Sequence, residues 1–172
     1  MTVPTDSLPT LLLKPGELFI VEEPCVVWTL LGSCVAVTMV SRRIGVGAIC
    51  HALLPSCKPQ DRCDCPERFR YVECAIRGML REFACRGVPY AAIEVKLFGG
   101  ADMFHGPGGD GVGGQNIAKA KNVLAEEGMQ VSAFDGGGLQ GRKILFYPHT
   151  GEVFLRRLDR LGQRKSCRGE TA

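Results

Sequence analysis

Apolar and polar positions change period several times along the chain, and each change marks an element. After a Lys14-Pro15-Gly16 turn, Glu17 to Val21 reads as a first strand. Apolar, β-branched runs at 26–31, 34–40 and 45–50 predict three more, the last two joined by the polar turn Ser41-Arg42-Arg43. From residue 70 to 86 the period becomes 3.6: Val72, Ala75, Ile76, Met79, Leu80 and Phe83 share one face, and Gly87 and Pro89 close the helix. A buried strand over 91–98 ends at Gly99-Gly100. A second helix is expected from Asn116, read as its N-cap, to Gly128, with Ile117, Ala120, Val123 and Leu124 as its stripe. Met129 to Phe134 predicts another strand, and Arg142 to Tyr147 with Glu152 to Arg157 a hairpin around Pro148-His149-Thr150-Gly151. Residues 1–13 read as an irregular leader and 56–69 as a polar loop. This order predicts a single α/β domain, a mixed sheet system covered by at least two helices.

Composition narrows the setting. The 172 residues suffice for one sizeable core, with 45% apolar and 23% charged residues. The net charge of +3 is unevenly placed: residues 156–172 hold six basic against two acidic side chains, and the rest of the chain 15 against 16. The body therefore has no nucleic-acid footprint, and the expected division is a folded domain over 1–158 with a basic, disordered tail over 159–172. Pro4, Asp6 and Pro9 interrupt any signal-peptide pattern, so a cytoplasmic protein is expected. Pro24 to Ser41 is uncharged over 18 residues, but its Val and Thr content and its Gly32-Ser33 break favour two buried strands over a membrane helix. Without a secretory context the nine cysteines are not a disulfide framework, and Cys25, Cys50, Cys74 and Cys85 read as small core hydrophobes. Cys57, Cys63 and Cys65 have short, zinc-like spacing but no obvious fourth ligand beyond His51, so no metal is assigned. The glycine-dense stretch 106–114 lacks the Gly-Lys-Ser/Thr ending of a phosphate loop.

Candidate chemistry concentrates between residues 29 and 55. Gly32-Ser33-Cys34 forms a corner between two apolar runs, and the next run ends near His51. A cysteine inside an apolar run is ordinarily an inert core residue. Here the preceding glycine permits a tight turn that exposes a thiol and aims backbone N–H groups at a developing oxyanion, with Gly32, Ser33 and Cys34 as the candidate donors. A thiol and an imidazole on neighbouring strand ends are the minimum of a cysteine hydrolase, and His51 is expected to favour the Cys34 thiolate at neutral pH. His105 and His149 lie in loop or turn contexts and are not assigned catalysis.

The string Leu31-Gly32-Ser33-Cys34-Val35-Ala36-Val37, with His51 and Leu54-Pro55, resembles the CheD family of chemoreceptor glutamine deamidases. The likeness continues through Lys96 to Phe104, Asn116-Ile117, Asp135-Gly136-Gly137, Gly141-Arg142 and Thr150 to Val153. It implies a layered α/β sandwich similar to bacterial toxin deamidases. It also implies a protein-glutamine glutaminase that converts glutamines of methyl-accepting chemotaxis receptors to glutamate, through a Cys34 thioester and without metal or organic cofactor. Thr29 is implied as the group orienting His51, with Ser33 and Asp102 as alternatives. Some relatives bind a CheC-type phosphatase of CheY, so a non-catalytic adaptor for that phosphatase or the receptor is the competing reading.

Overall fold

A computed structural model of the chain describes residues 8–58, 66–102 and 111–158. The uncharged stretch 24–41 folds as two strands, β3 (Val26–Leu31) and β4 (Val35–Ser41), and each enters a different sheet. The first sheet has the order β1-β3-β8-β9, with β1 (Thr10–Leu12), β8 (Arg142–Tyr147) and β9 (Glu152–Arg157). Only β1 runs parallel to its neighbour there. The second has the order β2-β5-β4-β6-β7, with β2 (Leu18–Val21), β5 (Val46–Ala52), β6 (Glu94–Gly99) and β7 (Val131–Gly136). Its single parallel pair is β6 with β7. Two helices, α1 (Val72–Cys85) and α2 (Val112–Glu126), pack on the second sheet, completing a layered, single-domain α/β fold with two mixed sheets.

The layering explains why β4 and β5 do not alternate apolar with exposed polar positions: every residue in both strands is buried, the polar Thr38, Ser41 and His51 included. Val35, Val37 and Met39, with Val46, Ala48, Cys50 and Ala52, meet the helix stripe of Val72, Ala75, Ile76, Met79, Leu80 and Phe83. The alternate positions Ala36, Val40 and Ile49 meet Val27, Leu31, Ile144 and Phe146 of the first sheet. Gly47 marks how close the sheets come at one end, since a Cβ there would lie 2.5 Å from that of Pro148. Arg142 ties them at another: its guanidinium donates to Asp135 Oδ1 at 2.7 Å and to the Gln140 and Gly137 carbonyls, so each nitrogen of this buried cation has an acceptor.

Most expected elements appear within a residue or two of their predicted bounds. The leader does not stay irregular: residues 10–12 pair with β3, and Leu13 is wholly buried. Helix α2 starts at Val112, with Gly111 as N-cap, and Asn116 lies inside it. Gly113, a poor helix former, is helical because it packs against the Gly100 and Ala101 carbonyls, each 2.6 Å from where its Cβ would be. Cys25 and Cys50 are core residues as expected, whereas Cys74 is half-buried and Cys85 exposed, both off the α1 stripe. The tail 159–172 lies outside the described residues.

Candidate active site

Cys34 sits where the chain crosses from one sheet to the other. Gly32 and Ser33 form a bend between β3 and β4, and all three carbonyls of the corner are held from one side. Gly32 O accepts from Ala101 N at 2.8 Å, Cys34 O from Gly100 N at 2.8 Å, and Ser33 O from Asn116 Nδ2 at 3.0 Å. Gly99 and Gly100 have φ of 101° and 66°, and a Cβ on Gly99 would stand 2.3 Å from Cys34 O. The glycine pair ending β6 is therefore required by its close approach to the corner. Because the peptide bonds are trans, the N–H groups of Ser33 and Cys34 point away from the carbonyls so held. Neither N–H has a backbone partner among the described residues.

His51 enters from the second sheet. It pairs with Ala36 across β4 and β5, and so faces the layer between the sheets, where Cys34, two residues before Ala36, also packs. Thr29 enters the same layer from β3 in the first sheet. The two side chains are 1% and 2% exposed and meet across the layer, with Thr29 Oγ1 2.7 Å from His51 Nδ1. Thr29 Oγ1 also lies 2.7 Å from the Leu13 carbonyl, which only accepts. The single hydroxyl proton therefore goes to Leu13, and Thr29 accepts from Nδ1–H of His51. That tautomer leaves Nε2 with a free lone pair, the form a general base requires.

Burial governs both reactive groups. It lowers the His51 pKa to about 4, against the smaller opposing effects of the Leu13 carbonyl and of Glu17. It raises the Cys34 pKa, while the residue's own backbone N–H acts in the other direction. Each group is thus held in its neutral form, Cys34 as the thiol and His51 as the imidazole. Desolvation of two charges in the inter-sheet layer is the reason. Cys50 shows the extreme of the same effect: wholly buried in the helix-side core, its pKa is pushed up to about 12.

Of the candidate orienters, Thr29 is the one bonded to His51. Asp102 packs instead at the start of α2, its carboxylate filling the space a Cβ on Gly111 would take. Ser33 lends its carbonyl to Asn116. The held Gly32 and Ser33 carbonyls turn the Ser33 and Cys34 N–H groups, at the other ends of the same peptides, away from the clamp, whereas the Gly32 N–H belongs to the preceding peptide and is not set by it. His149 lies in the β8–β9 turn with its ring edge toward Tyr147, whereas His105 and the glycine-dense stretch from 106 to 110 lie outside the described residues. Two participants escaped sequence reading. Leu13 was hidden in the apparent leader, although the apolar trio Leu11-Leu12-Leu13 beside the Lys14-Pro15-Gly16 turn was a usable signal. Asn116 was visible only as a presumed cap and within the Asn116-Ile117 likeness to the CheD family. No group of three or more His, Cys, Asp or Glu side chains among the described residues is arranged to hold a metal; Cys63 and Cys65 lie outside them.

Comparison with known proteins places the chain in a family. The family model described as CheD chemotactic sensory transduction matches residues 53–157, a span that takes in Gly99-Gly100, Asn116 and Arg142 and begins just past His51. A Geobacter sulfurreducens protein named probable chemoreceptor glutamine deamidase CheD 2 is 48% identical over 161 residues, covering 93% of this chain and 97% of its own. Similarly named proteins of Oleidesulfovibrio alaskensis and Maridesulfovibrio salexigens are 37% and 36% identical, over 95% and 86% of this chain and 80% and 91% of theirs. With a family model across more than half its length and relatives of this identity across nearly all of it, the chain belongs to the CheD family.

Proposed function

We propose that this chain is a chemoreceptor glutamine deamidase, a cytoplasmic amidohydrolase with Cys34 as nucleophile, His51 as acid–base and Thr29 as the orienter of His51. The observation that carries the reading is the Leu13–Thr29–His51 relay, which leaves the imidazole Nε2 unprotonated in the layer where Cys34 packs. The names of the relatives supply the substrate class: glutamines of chemoreceptors.

The reaction begins from the neutral pair. As Cys34 Sγ bonds to the side-chain amide carbon of glutamine, its proton passes to His51 Nε2, and the carbonyl electron pair moves onto oxygen. The Ser33 and Cys34 N–H groups are the donors available to that oxyanion. When the C–N bond breaks, His51 returns the proton to the leaving nitrogen and ammonia departs, leaving a γ-glutamyl thioester on Cys34. Water then gives a proton to His51 and its oxygen to the acyl carbon. Cys34 leaves as the thiol, and the product is glutamate. A glutamyl methyl ester presents the same acyl carbon, so slow methylesterase activity is expected of the same residues.

The test is site-resolved mass spectrometry of a chemoreceptor cytoplasmic fragment from the same cell, incubated with the full chain or with Cys34→Ala. A gain of about one dalton at defined glutamines, the replacement of NH2 by OH, is expected only with the wild type. No gain on any native receptor, from folded protein whose Cys34 titrates, would overturn the enzyme and favour an adaptor that binds the receptor or a CheC-type phosphatase.

A further inference from the structure

A buried polar side chain in the middle of a helix requires a partner or a reason. Asn116 has no exposed surface, and both hydrogens of its amide are used: Nδ2 donates to Ser33 O at 3.0 Å and to Leu53 O at 2.8 Å. These carbonyls belong to different strand ends, one immediately before Cys34 and the other two residues after His51. Its Oδ1 is buried and has no hydrogen-bond partner among the described residues. That orphaned acceptor opposes folding, so packing alone does not account for an asparagine here.

The Ser33 carbonyl and the Cys34 N–H are the two ends of one trans peptide plane, so whatever grips the oxygen also sets the direction of the N–H. A hydrogen bond to the oxygen further polarises the plane and strengthens its N–H as a donor. We propose that Asn116 is a positioning residue for Cys34: its amide holds the Ser33–Cys34 peptide so that the Cys34 N–H is aimed at the sulfur and at the oxyanion formed beside it. The second bond, to Leu53, locks that peptide in register with the strand that carries His51. The inference rests on Cys34 being the nucleophile, and it assigns to α2 a part in the reaction that no substrate-touching group reveals.

The test compares the full-length wild type with Asn116→Ala and Asn116→Asp, each checked for folding by circular dichroism and thermal melting. Two readouts are taken: the pH profile of Cys34 alkylation by iodoacetamide, and kcat and KM for receptor deamidation. Loss of the grip is expected to move the alkylation profile to higher pH and slow the reaction at pH 7 by about tenfold. It is expected to lower kcat by about 10- to 100-fold, with KM within about twofold of wild type. Asn116→Asp presents a carboxylate to two carbonyls at high pH but regains one O–H donor when protonated, so its activity relative to wild type should rise as the pH falls. Folded variants with unchanged alkylation and kcat, or with a loss confined to KM, would overturn the assignment. Failure of both variants to fold would overturn it too, making Asn116 a determinant of the fold alone. Should the wild type show no deamidation, the alkylation profiles still report on the peptide behind Cys34, which separates this inference from the proposed activity.

Discussion

The central sheet has two faces built from the same strands and packed by different means. On the helix side, β4 and β5 meet aliphatic and aromatic residues, with polar Ser41 and Asn116 only at strand ends. On the other side the same strands place Thr38 and His51 between the sheets, opposite Thr29 and beside the half-buried Cys34. Apart from the Asn116 amide, which binds the Ser33 and Leu53 carbonyls, the first face gains from burial alone. The second accepts desolvated polar groups whose hydrogen bonds must each be met, and in return holds an imidazole in one tautomer and one orientation. Stability and the proposed chemistry are thus divided between the two faces of one sheet.

That division is open to direct attack. The largest effect on stability is expected on the apolar face: Phe83→Ala, the last and bulkiest residue of the α1 stripe, should cost about 3–5 kcal/mol in urea unfolding while leaving kcat per folded molecule unchanged. An equal loss of kcat would show that the faces are not separable.

Next comes pH. The His51 pKa of about 4 is depressed below its unfolded value, so the unfolded chain takes up the proton first as pH falls. Its contribution is fully present above about pH 6.5 and lost toward pH 4, amounting to about 3 kcal/mol. His51→Gln should remove this part of the pH dependence of urea unfolding. For the same reason the acid limb of kcat/KM should lie near pH 4 rather than near the ordinary histidine value. A limb at 6.5 would mean that the imidazole is solvated in the working enzyme.

Thr29→Val should cost about 1–3 kcal/mol, because the Leu13 carbonyl and Nδ1–H both lose their partner, and should lower kcat by at least about tenfold. Thr29→Ser keeps the hydroxyl and is expected to recover most of both. A fully active valine variant would remove Thr29 from the mechanism. The smallest effect belongs to the surface. Arg77 bridges Glu73, Glu126 and Glu127 between the helices in a half-exposed network, and Arg77→Gln should cost less than about 1 kcal/mol, fading with added salt.

The same contrast decides what sequence reading finds. The helix-side face is written in periods: the 3.6 repeat of α1 and the largely apolar runs of β4 and β5 are visible without a structure. The placement of Cys34 and His51 on adjoining strand ends follows from strand order alone. Thr29 does not, since a threonine that receives an imidazole N–H looks the same in sequence as one that merely suits a strand. Only the likeness to relatives singled it out. Strand β1 was missed because three residues are too few for a period. The start of α2 was missed because local propensity at Gly113 and Gly114 points away from a helix, while contact with Gly100 and Ala101 overrides it. Contacts between distant carbonyls and amides, such as Asn116 with Ser33, leave no local pattern to read.

The crossing of β3 into one sheet and β4 into the other also bears on how the protein is made. Thr29, Cys34 and His51 leave the ribosome early and almost together, yet β3 lacks its antiparallel partner until residues 142–147 have been synthesised. Gly100, Ala101 and Asn116, which hold the corner, arrive in between. The thiol is thus present on the nascent chain long before anything can hold it for reaction. The corner is thus held, and β3 paired, only after residues 100–147 have been made, so the distal half of the polypeptide completes the candidate site.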